Sequence, residues 1–171
     1  MNERIAAVKA EMSRQGLDAY IIETRENKFA LTGFEHNVAD YNTISLLVLT
    51  QGKDYFLAER MEQEAVTAGA KDCEVLLAEK DERAAALMKR VSDLEGGFRR
   101  IGYEIYAFRK YYADEIRTVL PNAEFVPTDI VEQARIIKTK AEIEIIAETM
   151  EIGSKALMHA VSRITCGISE K

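Results

Sequence analysis

The sequence is poor in the residues that build specialised architectures. Its 171 residues include two cysteines, two prolines, nine glycines and no tryptophan. These numbers exclude a disulfide-rich scaffold and a collagen-like or low-complexity chain. Cys73 and Cys166 are far apart, and neither belongs to a C-x-x-C pair. This argues against a structural zinc site and is typical of a reducing compartment.

Long apolar runs and a secretion signal are also lacking. The most apolar run, residues 46–49, is far shorter than the roughly 20 residues that a membrane-spanning helix needs. The amino terminus leads directly into an amphipathic pattern without the apolar core of a signal peptide. We therefore expect a soluble, cytoplasmic protein that has no membrane partner.

The sequence has no excess of basic residues. Acidic residues outnumber basic ones by 29 to 23, which gives a formal net charge of −6 without a basic cluster. Such a chain is a poor ligand for a phosphate backbone, so we expect no nucleic acid partner. The hydrophobic share of 47% and the charged share of 30% are typical of a globular domain.

The apolar pattern alternates between strands and helices, which predicts an α/β fold. The predicted strands are residues 18–22, 44–50, 55–57, 73–77, 100–104 and 123–126. Helical patterns lie before Gly16, between Thr24 and Gly33, and over residues 59–68, 81–94, 108–120 and 128–134. Only four residues separate the second and third strands, so these should form an antiparallel hairpin. We predict a mixed β-sheet flanked by helices.

The end of the sequence has a different pattern. Residues 139–142 have the T-x-x-E spacing of a capping box. Apolar residues then recur every three or four positions, which predicts one long helix from Thr139 to Ile164. The apolar seam of this helix includes Ile143, Ile146, Met150, Leu157 and Ile164.

Residues with catalytic chemistry are scarce. The two histidines are His36, in a polar loop, and His159, in the predicted C-terminal helix, and neither has the spacing of a metal ligand. The sequence has no G-x-S-x-G elbow, phosphate-binding loop or G-x-G-x-x-G run. The residues alone therefore predict a domain without a self-sufficient active site.

Several segments, in order, resemble the N-terminal domain of the creatinase/prolidase family. Residues 16–19, GLDA, and residues 27–34, NKFALTGF, are similar to that family's "glDa … N-x-x-Y-L-T-G-F" opening. Residues 135–143, RIIKTKAEI, resemble the "R-x-I-K-[ST]-x-x-E-I" junction that leads into the family's metallopeptidase domain. Residues 167–170 resemble the "G-x-[ST]-E" just inside that domain. The residues that carry the resemblance are Asn27, Thr32, Gly33, Phe34, Arg135 and Lys138.

The resemblance implies a fold and a domain organisation. Residues 1–134 would form the family's ribonuclease-H-like N-terminal domain. Residues 135–171 would form the junction and the first helix of a metallopeptidase domain that is otherwise absent. The resemblance places the ligands of two divalent ions, manganese, cobalt or zinc, downstream of this sequence. We therefore expect no cofactor, no metal ligand and no activity in this chain.

The resemblance also implies a function for the parent protein. It would be an Xaa-Pro dipeptidase or aminopeptidase that acts on proline-containing peptides as a homodimer. The N-terminal domain would contribute oligomer contacts and substrate-entrance shape, and the catalytic domain of the same polypeptide would be one of its partners. A loop that includes His36, Asp40 and Tyr41 would lie at that entrance or against the partner subunit. The open alternatives are a creatine amidinohydrolase-type enzyme and a protein-interaction module with a degenerate peptidase domain.

Overall fold

The computed structural model describes residues 3–35 and 43–169, and the chain divides into two units, Met1–Arg135 and Ile136–Lys171. The first unit contains a mixed β-sheet flanked by helices, which confirms the predicted fold class. Its strands are β1 (Ala19–Ile22), β2 (Ser45–Thr50), β3 (Asp54–Glu59), β4 (Glu74–Ala78), β5 (Arg100–Glu104) and β6 (Glu124–Thr128). Its helices are α1 (Glu3–Gln15), α2 (Arg25–Thr32), α3 (Gln63–Gly69), α4 (Ala84–Leu94), α5 (Lys110–Val119) and α6 (Ile130–Ile136, which runs one residue into the second unit).

The strands lie in the order β4-β3-β2-β1-β5-β6. Strand β2 pairs antiparallel with both β1 and β3, so the predicted hairpin is confirmed. The β3–β4, β1–β5 and β5–β6 pairs are parallel. The carboxyl ends of β1, β3, β4, β5 and β6 therefore lie at one edge of the sheet, where β2 begins. We call this edge the carboxyl edge.

Both faces of the sheet are buried, because side chains along a strand alternate between its faces. In β1, Ile21 belongs to one core and its neighbours Tyr20 and Ile22 to the other. The first core includes α4 and α5 through Leu87, Met88, Val91, Tyr112 and Ile116. The second core includes α1, α2, α3 and α6 through Ile5, Val8, Met12, Leu31, Val66, Ile130 and Val131. The first unit is thus a three-layer arrangement of helices, sheet and helices.

The predicted end of the last strand is wrong. The sequence pattern ends the last strand before Pro127, but β6 continues through Pro127, which pairs with Tyr103, to Thr128. Proline lacks the N–H group that an interior strand would donate, and it is tolerated at the edge of a sheet. Strand β6 is such an edge strand.

The second unit contains helix α7 (Lys140–Val161). The Oγ1 atom of Thr139 accepts a 3.2 Å hydrogen bond from the N–H of Glu142, whose carboxylate accepts a 2.8 Å bond from the N–H of Thr139. This confirms the predicted capping box. The helix ends at Val161 rather than at Ile164, and its apolar side chains are exposed.

Candidate functional site

Family-motif residues meet a buried carboxylate at the carboxyl edge. Glu104, the last residue of β5, is fully buried. Its Oε2 atom accepts hydrogen bonds of 2.7 Å and 2.9 Å from the N–H groups of Glu23 and Thr24, directly after β1. Its Oε1 atom accepts bonds of 2.5 Å from the Thr24 hydroxyl and 2.6 Å from the Asn27 amide. The four donors satisfy a charge that would otherwise be very costly to bury.

This arrangement also determines what the Thr24 side chain does. The second helical pattern of the sequence begins after Thr24, and Thr24 occupies the N-cap position of α2. Its side chain makes no capping hydrogen bond, because the hydroxyl donates to Glu104 instead. A buried carboxylate 80 positions away in sequence thus replaces a local cap.

Asn27 extends the cluster to α6. Its Nδ2 atom also donates a 2.9 Å bond to Oε1 of Glu132, and its Oδ1 atom accepts a bond from the guanidinium of Arg135. Two residues of the family motifs, Asn27 and Arg135, are therefore in direct contact although 108 positions separate them. We call Thr24, Asn27, Glu104, Glu132 and Arg135 the Glu104 cluster.

A second polar group lies beside the first at the same edge. The carboxylate of Glu23 binds the Arg109 side chain and accepts a 2.8 Å bond from the Arg109 N–H. The Arg109 guanidinium lies 4.3 Å from the centroid of the Tyr112 ring and donates a 2.9 Å bond to its hydroxyl. That hydroxyl donates a 3.3 Å bond to the carbonyl of Thr43. These contacts attach the segment before β2 to α5.

The third polar contact is a buried lysine. Lys28 is only 4% exposed, and its ammonium donates to the hydroxyl and, at 2.8 Å, to the carbonyl of Ser45, the first residue of β2. The ammonium also lies 5.8 Å from the centroid of the Phe56 ring. Burial lowers the pKa of Lys28 from 10.5 to about 8, and the carboxylates of Glu104 and Glu23 oppose part of this shift.

The T-G-F motif ends α2 and packs onto the second core. Gly33 has a positive φ of 69° and donates a 2.7 Å bond to the carbonyl of Phe29, as a left-handed C-terminal cap does. The Phe34 ring lies 5.8 Å from the ring of Phe56 and covers Gly69 so closely that a Cβ atom there would lie 2.0 Å from it. The Thr32 hydroxyl accepts a 3.1 Å bond from the N–H of Phe34. These contacts give Thr32, Gly33 and Phe34 structural roles.

The structure does not bring all of the predicted site residues together. His36, Asp40 and Tyr41 lie outside the described residues. Lys138 lies in the second unit, where it is exposed and donates a 3.2 Å bond to the carbonyl of Ile136. His159 is exposed on α7.

Sequence reasoning missed Glu104, Glu23, Arg109 and Lys28. The sequence does hold one signal for Glu104, which is a carboxylate at the end of a predicted buried strand. A buried carboxylate needs hydrogen-bond donors, and the loop that follows a neighbouring parallel strand can supply them. No local signal identifies Lys28 as buried, since lysine is almost always exposed.

The described residues do not form a metal centre. No group of three or more histidine, cysteine, aspartate or glutamate residues within 3–35 and 43–169 is placed to hold a metal ion. Cys73 is half-buried, and burial raises the pKa of its thiol to about 12, which disfavours the reactive thiolate. None of the helices in the described ranges is long and apolar enough to cross a membrane.

Comparisons with known proteins agree with the geometry of the first unit. The model of the creatinase/prolidase N-terminal domain matches residues 4–137. The chain is 27% identical over 158 residues to the uncharacterized peptidase YqhT of Bacillus subtilis, covering 91% of this chain and 42% of YqhT. It is 26% identical over 172 residues to an Xaa-Pro dipeptidase of Pyrococcus horikoshii, covering 100% of this chain and 45% of that protein.

A solved structure shows the same fold. The Xaa-Pro dipeptidase from Bacillus anthracis superposes with a TM-score of 0.84 at 21% identity, over 98% of this chain and 45% of that one. The chain thus spans less than half the length of these three proteins.

Proposed function

The chain belongs to the creatinase/prolidase family through its N-terminal domain, and we propose that it is the non-catalytic N-terminal part of a metal-dependent Xaa-Pro peptidase. One observation carries this proposal. The match covers 91–100% of this chain but only 42–45% of two peptidases. The remaining part of such proteins, which this chain does not match, is where we place catalysis.

The domain boundary follows from the same proposal. We assign residues 1–134 to the N-terminal domain, and residues 135–171 to the junction and first helix of the metallopeptidase domain. Two observations support this assignment: the family model matches residues 4–137, and the chain divides between Arg135 and Ile136. The capping box at Thr139 gives the second segment its own helix start.

The parent enzyme would hold two divalent ions, manganese, cobalt or zinc, in its catalytic domain, which would activate water and polarise the Xaa-Pro carbonyl. The described residues of this chain do not fit such a site, so no step is assigned to them. Their proposed contribution is to shape the substrate entrance through the loop with His36, Asp40 and Tyr41. We further propose a cytoplasmic homodimer, and the two free cysteines are in keeping with a reducing compartment.

The other two functions receive no specific support. The relatives named above are described as peptidases rather than as creatine amidinohydrolases or interaction modules. The peptidase assignment is therefore the one that we retain.

An activity assay tests the proposal. The 171-residue chain and the longest natural polypeptide that contains it are each assayed with Xaa-Pro dipeptides and Xaa-Pro-terminated peptides, with and without Mn²⁺, Co²⁺ or Zn²⁺. We expect metal-dependent hydrolysis by the longer polypeptide and none by the chain alone. Hydrolysis by the chain alone, or creatine cleavage by the longer polypeptide in place of peptide cleavage, would overturn the proposal.

A further inference from the structure

We propose that Asn27 is a positioning residue that fastens α6 to the carboxyl edge of the sheet and so fixes where the chain leaves the first unit. This inference goes beyond the proposed function and does not rest on it. It concerns contacts within Met1–Arg135, the unit that contains Asn27, Glu104, Glu132 and Arg135.

The hydrogen bonds of Asn27 use both ends of its amide. The two N–H bonds of Nδ2 point to different carboxylates, Glu104 at 2.6 Å in the sheet and Glu132 at 2.9 Å in α6. The Oδ1 atom accepts from Arg135. The opposite orientation of the amide would place its oxygen against two carboxylates, so the chemistry of the neighbours fixes the orientation.

Asn27 is placed for this link by burial and by the contacts of the preceding residues. It is 2% exposed and lies in the first turn of α2, whose backbone is itself held through Glu23 and Thr24 by the buried Glu104. Only one oxygen of the Glu132 carboxylate is hydrogen-bonded to Asn27, because its Oε2 atom is buried and has no hydrogen-bond partner. The bond from Asn27 therefore ties this side chain of α6 to α2 and, through Glu104, to the sheet.

A second link reaches the same end of α6 from α1. The Nε atom of Arg4 donates a 3.2 Å bond to the carbonyl of Ala134, and its Nη1 atom donates a 3.5 Å bond to the carbonyl of Ala30 in α2. Both of these bonds go to main-chain carbonyls, so neither depends directly on the side chain at position 27. Loss of the Asn27 link should therefore loosen the end of α6 without detaching α1.

An amide is the side chain that this position requires. Aspartate has nearly the same shape, but it would place a third carboxylate beside Glu104 and Glu132 and would remove both donors. Leucine would remove the donors and the acceptor, so Glu104 would lose one of its four donors and Oε1 of Glu132 would lose its bond from Asn27. We expect both substitutions to release the end of α6.

Trypsin cleavage after Arg135 measures the release directly, because this bond is cleaved only when the chain around it opens. Cleavage after Lys140 in the same molecule gives an internal reference. In the 171-residue chain, we expect N27D and N27L to raise the Arg135 rate at least tenfold relative to that reference. N122D, the same change in an exposed turn, should leave the ratio unchanged.

Two further variants separate positioning from general loss of stability. M88A removes core packing on the opposite face of the sheet and should lower the free energy of unfolding without changing the cleavage ratio. E132L breaks the link from α6 and should raise the ratio as N27D does, which keeps the test decisive if position 27 variants fail to fold. The proposal is overturned if M88A raises the ratio as much as N27D, or if the ratio is unchanged in N27D and E132L.

Discussion

At the scale of single residues, two buried ionisable side chains, Glu104 and Lys28, make hydrogen bonds that connect the elements at the carboxyl edge. Glu104 is fully buried with four donors, and Lys28 is buried against Ser45 and Phe56. Buried ionic groups of this kind contribute little net stability but make the loss of one partner costly. The first residues of α2 and β2 are therefore fixed by charge and hydrogen bonding.

The buried Lys28 predicts an unusual dependence of stability on pH. Its pKa is about 8 in the folded chain, below its ordinary value of 10.5, so the unfolded chain binds more protons between these values. The contribution of Lys28 to stability is therefore reduced below pH 8 and increases as the pH rises through this window. From pH 7.5 to 9.5, the free energy of unfolding of the wild type minus that of K28M should rise by about 2 kcal/mol.

Urea unfolding of both proteins at several pH values measures this difference. Burial raises the pKa values of Tyr20 and Tyr55, and these tyrosines are present in both proteins, so the subtraction removes their effect. A matched control is K89M, because Lys89 lies exposed on α4. A difference that stays constant with pH for K28M, or that rises equally for K89M, would contradict the prediction.

At the scale of elements, helix α7 has large apolar side chains that are exposed. Its apolar seam is exposed, with Ile143 at 57%, Ile146 at 48% and Met150 at 65%. A polar stripe of Glu144, Glu148, Glu151, Lys155 and His159 runs along another side at helical spacing. A helix with such a stripe is stable in water when its apolar side is covered.

We predict that isolated copies of the 171-residue chain pair through this seam. Burying one large aliphatic side chain contributes about 1.5–3 kcal/mol, so the seam can offset much of the cost of ordering the helix. Light scattering should show a dimer for the wild type and a monomer for the double variant I146E/M150E. The control K155E/H159E places two glutamates on the polar stripe and should remain dimeric. A monomeric wild-type chain with an intact α7 would refute the pairing.

At the scale of the whole molecule, the chain corresponds to less than half of the peptidases that it resembles. The family model covers residues 4–137, and the match to the Pyrococcus horikoshii dipeptidase covers the whole chain but 45% of that protein. The described residues provide a sheet with two cores and a polar carboxyl edge, but no group of metal-binding side chains. The proposed role therefore rests on the partial match to longer peptidases rather than on chemistry within the described residues.

The corresponding prediction concerns metal binding. Catalytic sites for zinc and similar ions use three or more protein ligands, and the described part of this chain does not assemble them. Calorimetric titration of the 171-residue chain with Mn²⁺, Co²⁺ or Zn²⁺ should show no tight, saturable binding. Chelator treatment should leave its melting temperature unchanged. Stoichiometric binding abolished by H36A would contradict the prediction and would assign a metal to the loop.

The sequence by itself determined the elements and the family. Period-two and period-3.6 patterns located the strands and helices, since these patterns reflect local geometry and burial of one face. The positive φ of Gly16 and Gly33 and the capping box at Thr139 are local features that residue identity reveals. The motifs at 27–34 and 135–143 indicated the family, which the match over residues 4–137 confirms.

Only the tertiary structure decided how distant polar residues combine. Glu104 meets Thr24 and Asn27 because β1 and β5 are parallel neighbours whose carboxyl ends share an edge. Strand β6 tolerates Pro127 because it lies at the edge of the sheet, which depends on strand order rather than on local sequence. Lys28 is buried because α2 packs over the start of β2. The sequence of the eight residues of α2 does not reveal that contact. Hydrogen bonds between residues about 80 to 110 positions apart depend on the sheet order, so they exist only once the sheet has formed.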